Sequence, residues 1–126
     1  MSDVINKAVL REGEHKAIIK DMKYLREQKT NYGLKDILSI TYIVTDELVE
    51  LEKTEKMFKS DYKNSRWKRF CKELIPILKE IYPDGIPKEI KLEKLIGRKL
   101  ILKVAHNKEN NVIYDNIVSR VFEKKN

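Results

Sequence analysis

Alternating apolar and polar positions predict three strands in the first half of the chain. The strictest alternation lies in 36–46, DILSITYIVTD, whose many β-branched residues are typical of strands. One face of this strand carries Leu38, Ile40, Tyr42 and Val44. Looser alternation predicts a curved strand over 14–25 and a charged strand over 48–61. The polar segment 26–35, which contains asparagine and glycine, predicts the loop between the first two strands.

A period near 3.6 residues replaces the alternation after residue 64 and predicts one helix. The apolar positions that recur three and four residues apart are Trp67, Phe70, Cys71, Leu74, Leu78 and Ile81. Ser65 can cap the first turn, and Pro83 with the glycine and proline that follow ends the helix. We therefore expect a helix from Ser65 to Tyr82, kinked at Pro76.

Two further strands are predicted after the helix, over 98–107 and 112–122, with the polar turn NKENN between them. Three strands, a helix and two strands follow the connectivity of the OB-fold. We therefore expect an all-β fold with one helix: a five-stranded OB-fold barrel with the helix between strands 3 and 4. A plain α+β sheet with the helix across one face is the alternative. One domain should span 1–126, with a loosely held leader over 1–12 and a solvated tail over 123–126.

Composition adds a basic character to this picture. The 126 residues include 27 Lys and Arg against 20 Asp and Glu, a formal charge of +7. An acidic polymer such as nucleic acid fits this balance. Only six of the basic residues are arginine, and flexible lysine suits sequence-tolerant contact with a phosphate backbone. With no long apolar run, no secretory signal and a single cysteine, Cys71, we expect a soluble cytoplasmic protein without membrane contact.

Motifs for catalysis or metal binding are absent from the sequence. His15 and His106 lie far apart, and neither has a cysteine or second histidine at ligand spacing. The four glycines are isolated and form no phosphate-binding loop. Asp36 and Asp46 flank the second predicted strand, where acidic residues usually form hairpin ends, although a metal nuclease is a minor alternative. We expect no enzyme, no metal site and no cofactor.

Four motifs carry a family resemblance: GEHKAIIKD, TNYGLKDILSITYIV, SRWKRFCKELIPIL, and LIGRKLILKVAHN followed by YDNI. Together they resemble the small OB-fold single-stranded DNA-binding proteins encoded by bacteriophages and mobile elements of Gram-positive bacteria. The resemblance covers residues 10–120. It implies sequence-tolerant protection of exposed strands during phage or mobile-element DNA replication and recombination, in the cytoplasm of a bacterial host. Bacterial housekeeping single-strand binders recruit partners through an acidic tail, whereas this sequence ends EKKN, so recruitment by that route is not expected.

OB-folds bind single strands on the outer surface of strands two and three and on neighbouring loops, through cations and stacked aromatic rings. On this chain the binding surface selects Arg26, Lys29, Tyr32, Lys35, Lys56, Phe58, Lys59 and Lys108. Four more candidates follow the third strand: Tyr62, Arg66, Trp67 and Lys68. Phe58 would turn inward if the register slipped by one residue, and Trp67 also matches the apolar stripe of the helix. Tyr42 lies in phase with Leu38 and Ile40, which favours core packing over base contact.

Two functions stay open at this point. The leading one is single-stranded DNA binding; RNA, a homodimer and replication proteins remain open as further partners. The alternative is an OB-fold protein-interaction module, such as a phage-encoded inhibitor or accessory factor, that binds no nucleic acid. The positive charge argues against mimicry of DNA but not against protein binding in general, because a fold does not dictate its function.

Overall fold

The computed structural model describes residues 4–123, which form six strands and one α-helix. The elements are β1 (Ile5–Asn6), β2 (Gly13–Thr30), β3 (Gly33–Val44), β4 (Leu51–Phe58), α1 (Arg66–Ile81), β5 (Lys99–Glu109) and β6 (Val112–Phe122). The strand order in the sheet is β1-β6-β5-β2-β3-β4, with β1 parallel to β6 and every other pair antiparallel. The predicted mostly-β fold, with one helix between the third and fourth long strands, is confirmed.

The predicted five-stranded closed barrel is not confirmed. The short β1 adds a sixth strand, and no backbone ladder joins β4 to β6 within residues 4–123. Two side-chain pairs nevertheless connect these strands: Lys53 Nζ lies 2.6 Å from Asp115 Oδ1, and Arg120 forms an ion pair with Glu55. Because β4 and β6 stand far apart in the strand order, these contacts require the sheet to curl.

The helix α1 forms where the sequence predicts it. The Ser65 side chain accepts a hydrogen bond from the Lys68 amide at 3.1 Å and caps the first turn, while Tyr82 is the C-terminal cap. Pro76 lies inside the helix, as expected. Its apolar stripe packs against the inner face of the sheet through Phe70, Leu74, Ile77 and Leu78.

The inner face of the sheet carries the predicted core residues of β3. Leu38, Ile40, Tyr42 and Val44 are all buried there. In β2 the pairing register shifts between Ile19 and Asp21, so a bulge places Ile19 and Met22 on the same buried side. This bulge is why the alternation in the first predicted strand is imperfect.

The end of the predicted leader is hydrogen-bonded to the sheet. Leu10 is only 2% exposed, and its amide and that of Val9 donate to Asp115 Oδ2 at 2.8 and 3.0 Å. Residues 1–3 of the leader and 124–126 of the predicted tail lie outside the described residues, and Glu123 is exposed. Among residues 4–123, no helix has the length and apolar character needed to cross a membrane.

Candidate nucleic-acid interface

The segment predicted as the first loop is mostly strand. β2 and β3 pair as far as Thr30 and Gly33, so only Asn31 and Tyr32 form the turn. The Thr30 hydroxyl donates to the Gly33 carbonyl at 2.7 Å and accepts from the Tyr32 amide at 3.0 Å. Gly33 has a φ of +95°, which a residue with a side chain rarely adopts. The turn holds Tyr32 at the hairpin tip with 77% of its surface exposed.

The outer face of the hairpin carries a short apolar row that continues onto β4. Phe58 pairs with Ile37, and Ile37 pairs with Leu25, so the three side chains point to the same side of the sheet. Phe58 is 42% exposed, which settles its register in favour of the outer face. The next row towards the centre of the sheet consists of Lys23, Ser39 and Lys56.

Tyr32 and Phe58 meet at one end of this face. Their ring centroids lie 6.4 Å apart with the planes inclined at 68°, an edge-to-face arrangement. Beside them lies a cleft of about 550 Å³, here called the basic cleft. It is lined by Tyr32, Lys35, Lys56, Met57, Phe58, Lys59, Ser60, Ser65 and Arg66. Six of the twelve predicted site residues therefore converge on one surface.

Positive charge is unbalanced in the basic cleft. Lys35, Lys56 and Lys59 form no ion pair within 4 Å in the described part of the chain. Arg66 has only a distant pairing, with its Nε 3.9 Å from Glu55. No carboxylate belongs to the lining among residues 4–123. Such a surface attracts an anion, since each lysine near a phosphate can displace a condensed counterion.

The first turn of α1 adds to this positive field. It holds no acidic residue, although carboxylates are favoured at a helix N-terminus, and it carries Arg66, Lys68 and Arg69 instead. The macrodipole of the helix repels these cations. A bound anion would relieve the repulsion, as phosphates do at other helix N-termini.

Asp36 fixes the backbone next to the cleft. Its carboxylate accepts from the Tyr24 hydroxyl at 2.6 Å and from the Glu27 amide at 3.0 Å. Glu27 has a φ of +51° and lies in a second register shift of β2. The hydrogen bond from the Tyr24 hydroxyl, and to a smaller extent that from the Glu27 amide, lowers the pKa of Asp36 below its usual value. The ionised carboxylate therefore holds the bulge that presents Arg26.

A second cavity, of about 690 Å³, lies between α1, the β2–β3 hairpin and residues 88–95. The predicted site residues Arg26, Lys59 and Trp67 belong to its lining. Trp67 is half-buried and packs edge to face against Tyr24, with ring centroids 6.2 Å apart. The helical stripe and the site prediction for Trp67 are thus compatible.

Four predicted residues lie outside the linings of both the basic cleft and the second cavity. Lys29 is exposed one pair below the hairpin turn, and Tyr62 is exposed in the segment before α1. Lys68 is half-buried in the first turn of α1. Lys108 pairs with Ile113 near the end of the other hairpin, whose turn is Asn110 and Asn111.

Sequence reasoning missed several residues of this surface. The apolar row partners Leu25 and Ile37, the neighbouring Lys23, and Ser60 in the cleft were not among the candidates. The apolar row follows from the pairing register of β2, β3 and β4. The interpretation of 26–35 as a loop obscured that register. For the second cavity, the apolar residues Ile90 and Leu92 in the polar segment after the helix were the available sequence signal.

The histidines and aspartates weighed for catalysis have other contacts. His15, Asp46 and Glu47 offer ligand atoms within 4.8 Å of one another, a group that could hold a metal ion. However, Arg11 donates to Glu47 and the Lys16 amide donates to Asp46, so both carboxylates have donors without one. Asp36 is engaged at the opposite end of β3 from Asp46.

No model of a known protein family matches this sequence, and no curated protein matches it either. The resemblance to phage single-strand binders therefore stays a prediction.

Proposed function

We propose that the protein binds single-stranded DNA in the basic cleft, without a preference for sequence, and protects exposed strands during phage or mobile-element replication and recombination. It would do so as a binding protein rather than an enzyme. The observation that carries the proposal is the edge-to-face pair of Tyr32 and Phe58 beside a cleft lined by four cations and no described carboxylate.

The two halves of this surface suit the two halves of a nucleotide. Exposed aromatic rings accept the flat face of any base, and each stacked base contributes about 1–3 kcal/mol. The lysines can follow the phosphate backbone as point charges, which requires no particular base. Duplex DNA hides its base faces, so it should gain only the charge term.

The fold supports the same proposal. The first long strand, β2, pairs with both the second, β3, and the fourth, β5, and the helix precedes the fourth. With β4 and β6 connected through side chains, this arrangement is consistent with a partly open OB barrel. OB-folds bind oligonucleotides on the second and third strands, here β3 and β4. The basic cleft lies on that face.

Titration with labelled strands tests the proposal directly. Fluorescence anisotropy with dT, dA and RNA oligomers and with duplex DNA, each at two salt concentrations, should show tighter binding to single strands than to duplex. Equal affinity for single strands and duplex would indicate electrostatic attraction without stacking. No binding at low salt would reject the proposal and favour the protein-interaction module.

Substitution of the aromatic pair tests the stacking component. Tyr32→Ala and Phe58→Ala should each weaken dT binding by about 1–3 kcal/mol while leaving its salt dependence unchanged. Tyr114→Ala is a matched control, since Tyr114 is 39% exposed on β6 and should have no effect. Thermal melting of each variant separates lost contacts from lost folding. Normal dT binding by both folded cleft variants would contradict the assignment of this face.

Substitution of the lysines tests the charge component. Replacing the cleft lysines Lys35, Lys56 and Lys59 together by glutamine should reduce the slope of log K against log salt by about 2, since each phosphate contact on a single strand contributes about 0.7. The control lysines, which are exposed on β2 and β5, are Lys16, Lys99 and Lys103. Their triple glutamine variant has the same net charge and should retain the parental slope. Equal slopes for both triple variants would show that the charge effect is not local to the cleft.

A further inference from the structure

The second cavity differs in chemistry from the basic cleft. Its deepest lining residues are apolar and buried: Met22, Leu38, Phe70, Leu74 and Leu95. Its more exposed lining residues are charged: Arg26, Glu27, Asp36, Lys59, Lys88 and Glu89. Three of these are cations and three are anions. The cavity therefore has an apolar interior and a charge-balanced mouth, which selects against a bare phosphate.

A neutral ring with polar edges fits such a cavity. The Tyr24 and Trp67 rings form part of the lining, and their faces and edges can pack against another ring. The mixed charges at the mouth offer both donors and acceptors. Nucleobases have this combination of an apolar face and donor and acceptor groups along the edge. At about 690 Å³ the cavity also falls within the usual range of about 300–1,000 Å³ for small-molecule pockets.

The cavity adjoins the proposed binding surface. Lys59 belongs to the lining of both the basic cleft and the cavity. Arg66 lines the cleft and its neighbour Trp67 lines the cavity, so the start of α1 borders both. A strand whose phosphates lie along the cleft lysines would thus pass the cavity mouth.

We propose that this cavity receives one unstacked base of the single strand held in the basic cleft. The inference rests on the proposed function, because it requires a strand in the cleft. It adds a second recognition site to that function: stacking on Tyr32 and Phe58 at the surface, and enclosure of one base beside Trp67. Enclosure gives a structural reason for preferring strands that carry bases over the sugar-phosphate backbone alone.

The chain provides two natural probes of the cavity. Trp67 is its single tryptophan and Cys71 its single cysteine, and both belong to the cavity lining. Tryptophan emission therefore reports on this site alone. Burial raises the pKa of the Cys71 thiol, so its alkylation is best followed at mildly alkaline pH, where more of the reactive thiolate is present, with mass spectrometry as the readout.

The experiment measures strand binding and cavity occupancy separately. Anisotropy gives the Kd of a dT oligomer, and the rate of Cys71 alkylation by iodoacetamide is then measured with and without that oligomer. At about 20 times the Kd, a base in the cavity should slow alkylation about 20-fold, as mass action requires. Trp67 emission should change over the same concentration range. A strand of equal length without bases, used at equal occupancy, should leave both signals unchanged.

The outcomes distinguish this inference from the proposed function. If the dT oligomer binds by anisotropy but slows alkylation less than about fivefold at that occupancy, the base-pocket inference is overturned and the proposed function stands. Equal protection by the strand without bases would also overturn it, since the backbone would then merely cover the mouth. If no strand binds at all, the proposed function itself fails.

Discussion

Replacing Glu55 by glutamine tests the buried charge cluster behind the basic cleft. The Arg120 side chain is 1% exposed and the Glu55 side chain 3% exposed. Arg120 binds Glu55 through two hydrogen bonds: Nε donates to Oε1 at 3.0 Å, and Nη2 donates to Oε2. Arg120 Nη1 lies 2.5 Å from Glu73 Oε1. Burial, and next to it the charge of Glu55, raises the pKa of Tyr42, so its hydroxyl stays protonated and donates to Glu55 at 2.9 Å.

The cost of the substitution follows from these contacts. Removal of one partner from a buried ion pair usually destabilises a protein by about 3–5 kcal/mol, because the other charge stays buried. Glu73 still pairs with Arg120, so we expect Glu55→Gln to cost about 3 kcal/mol, at the lower end of this range. For a chain of this size, the loss corresponds to a decrease in Tm of about 10 °C.

Thermal and urea unfolding measure this loss against a matched control. Glu52→Gln removes the same charge from an exposed pair with Lys20, whose side chains are 56% and 50% exposed. Exposed pairs contribute at most about 1 kcal/mol, so the control should stay near the parental Tm. Equal losses of Tm in the two variants would refute the claim that Glu55 is needed to balance the buried charge of Arg120.

Two further predictions concern the elements that hold the site in place. Although burial opposes ionisation of Asp115, hydrogen bonds from Lys53 and from the Leu10 and Val9 amides lower its pKa. Its contribution to stability is therefore present above about pH 5 and is lost as the pH falls through the lowered pKa of the folded state. Asp115→Asn should therefore be less stable at neutral pH, with a flatter decline of Tm in acid; an unchanged decline would contradict this role. Ser65→Ala removes the cap of α1 and should cost about 1 kcal/mol in thermal unfolding followed by circular dichroism. An unchanged Tm would show that the cap does not stabilise the helix.

Local signals in the sequence predicted most elements of the fold. The extent of α1 could be predicted because Ser65 and Pro83 act within one turn of the helix. The inward face of β3 followed from strict alternation, which placed Tyr42 in the core. The outward orientation of Phe58 depended on a register that the sequence left open by one residue. The structure fixes it by pairing Phe58 with Ile37.

Features that depend on distant residues could not be predicted in this way. The Val9 and Leu10 amides donate to Asp115, about a hundred positions along the chain, and no local pattern encodes that contact. The bulge after Ile19 changes the phase of β2 without a glycine or proline to mark it. The basic cleft combines residues from the hairpin tip, β4 and α1, so the sequence could suggest its members but not their meeting. Lys108, by contrast, was selected by analogy with OB-fold loops and lies on the other hairpin.

The single ladder of β4 has a consequence for the dynamics of the proposed binding face. β3 is hydrogen-bonded to strands on both sides, whereas β4 pairs with β3 alone within residues 4–123 and reaches β6 through its Lys53 and Glu55 side chains. Local opening of β4 therefore requires less free energy than opening of β3, and amides of β4 should exchange with solvent sooner. Since β4 carries Lys56 and Phe58, this face can widen around a ligand while β2, β3 and β5 stay folded.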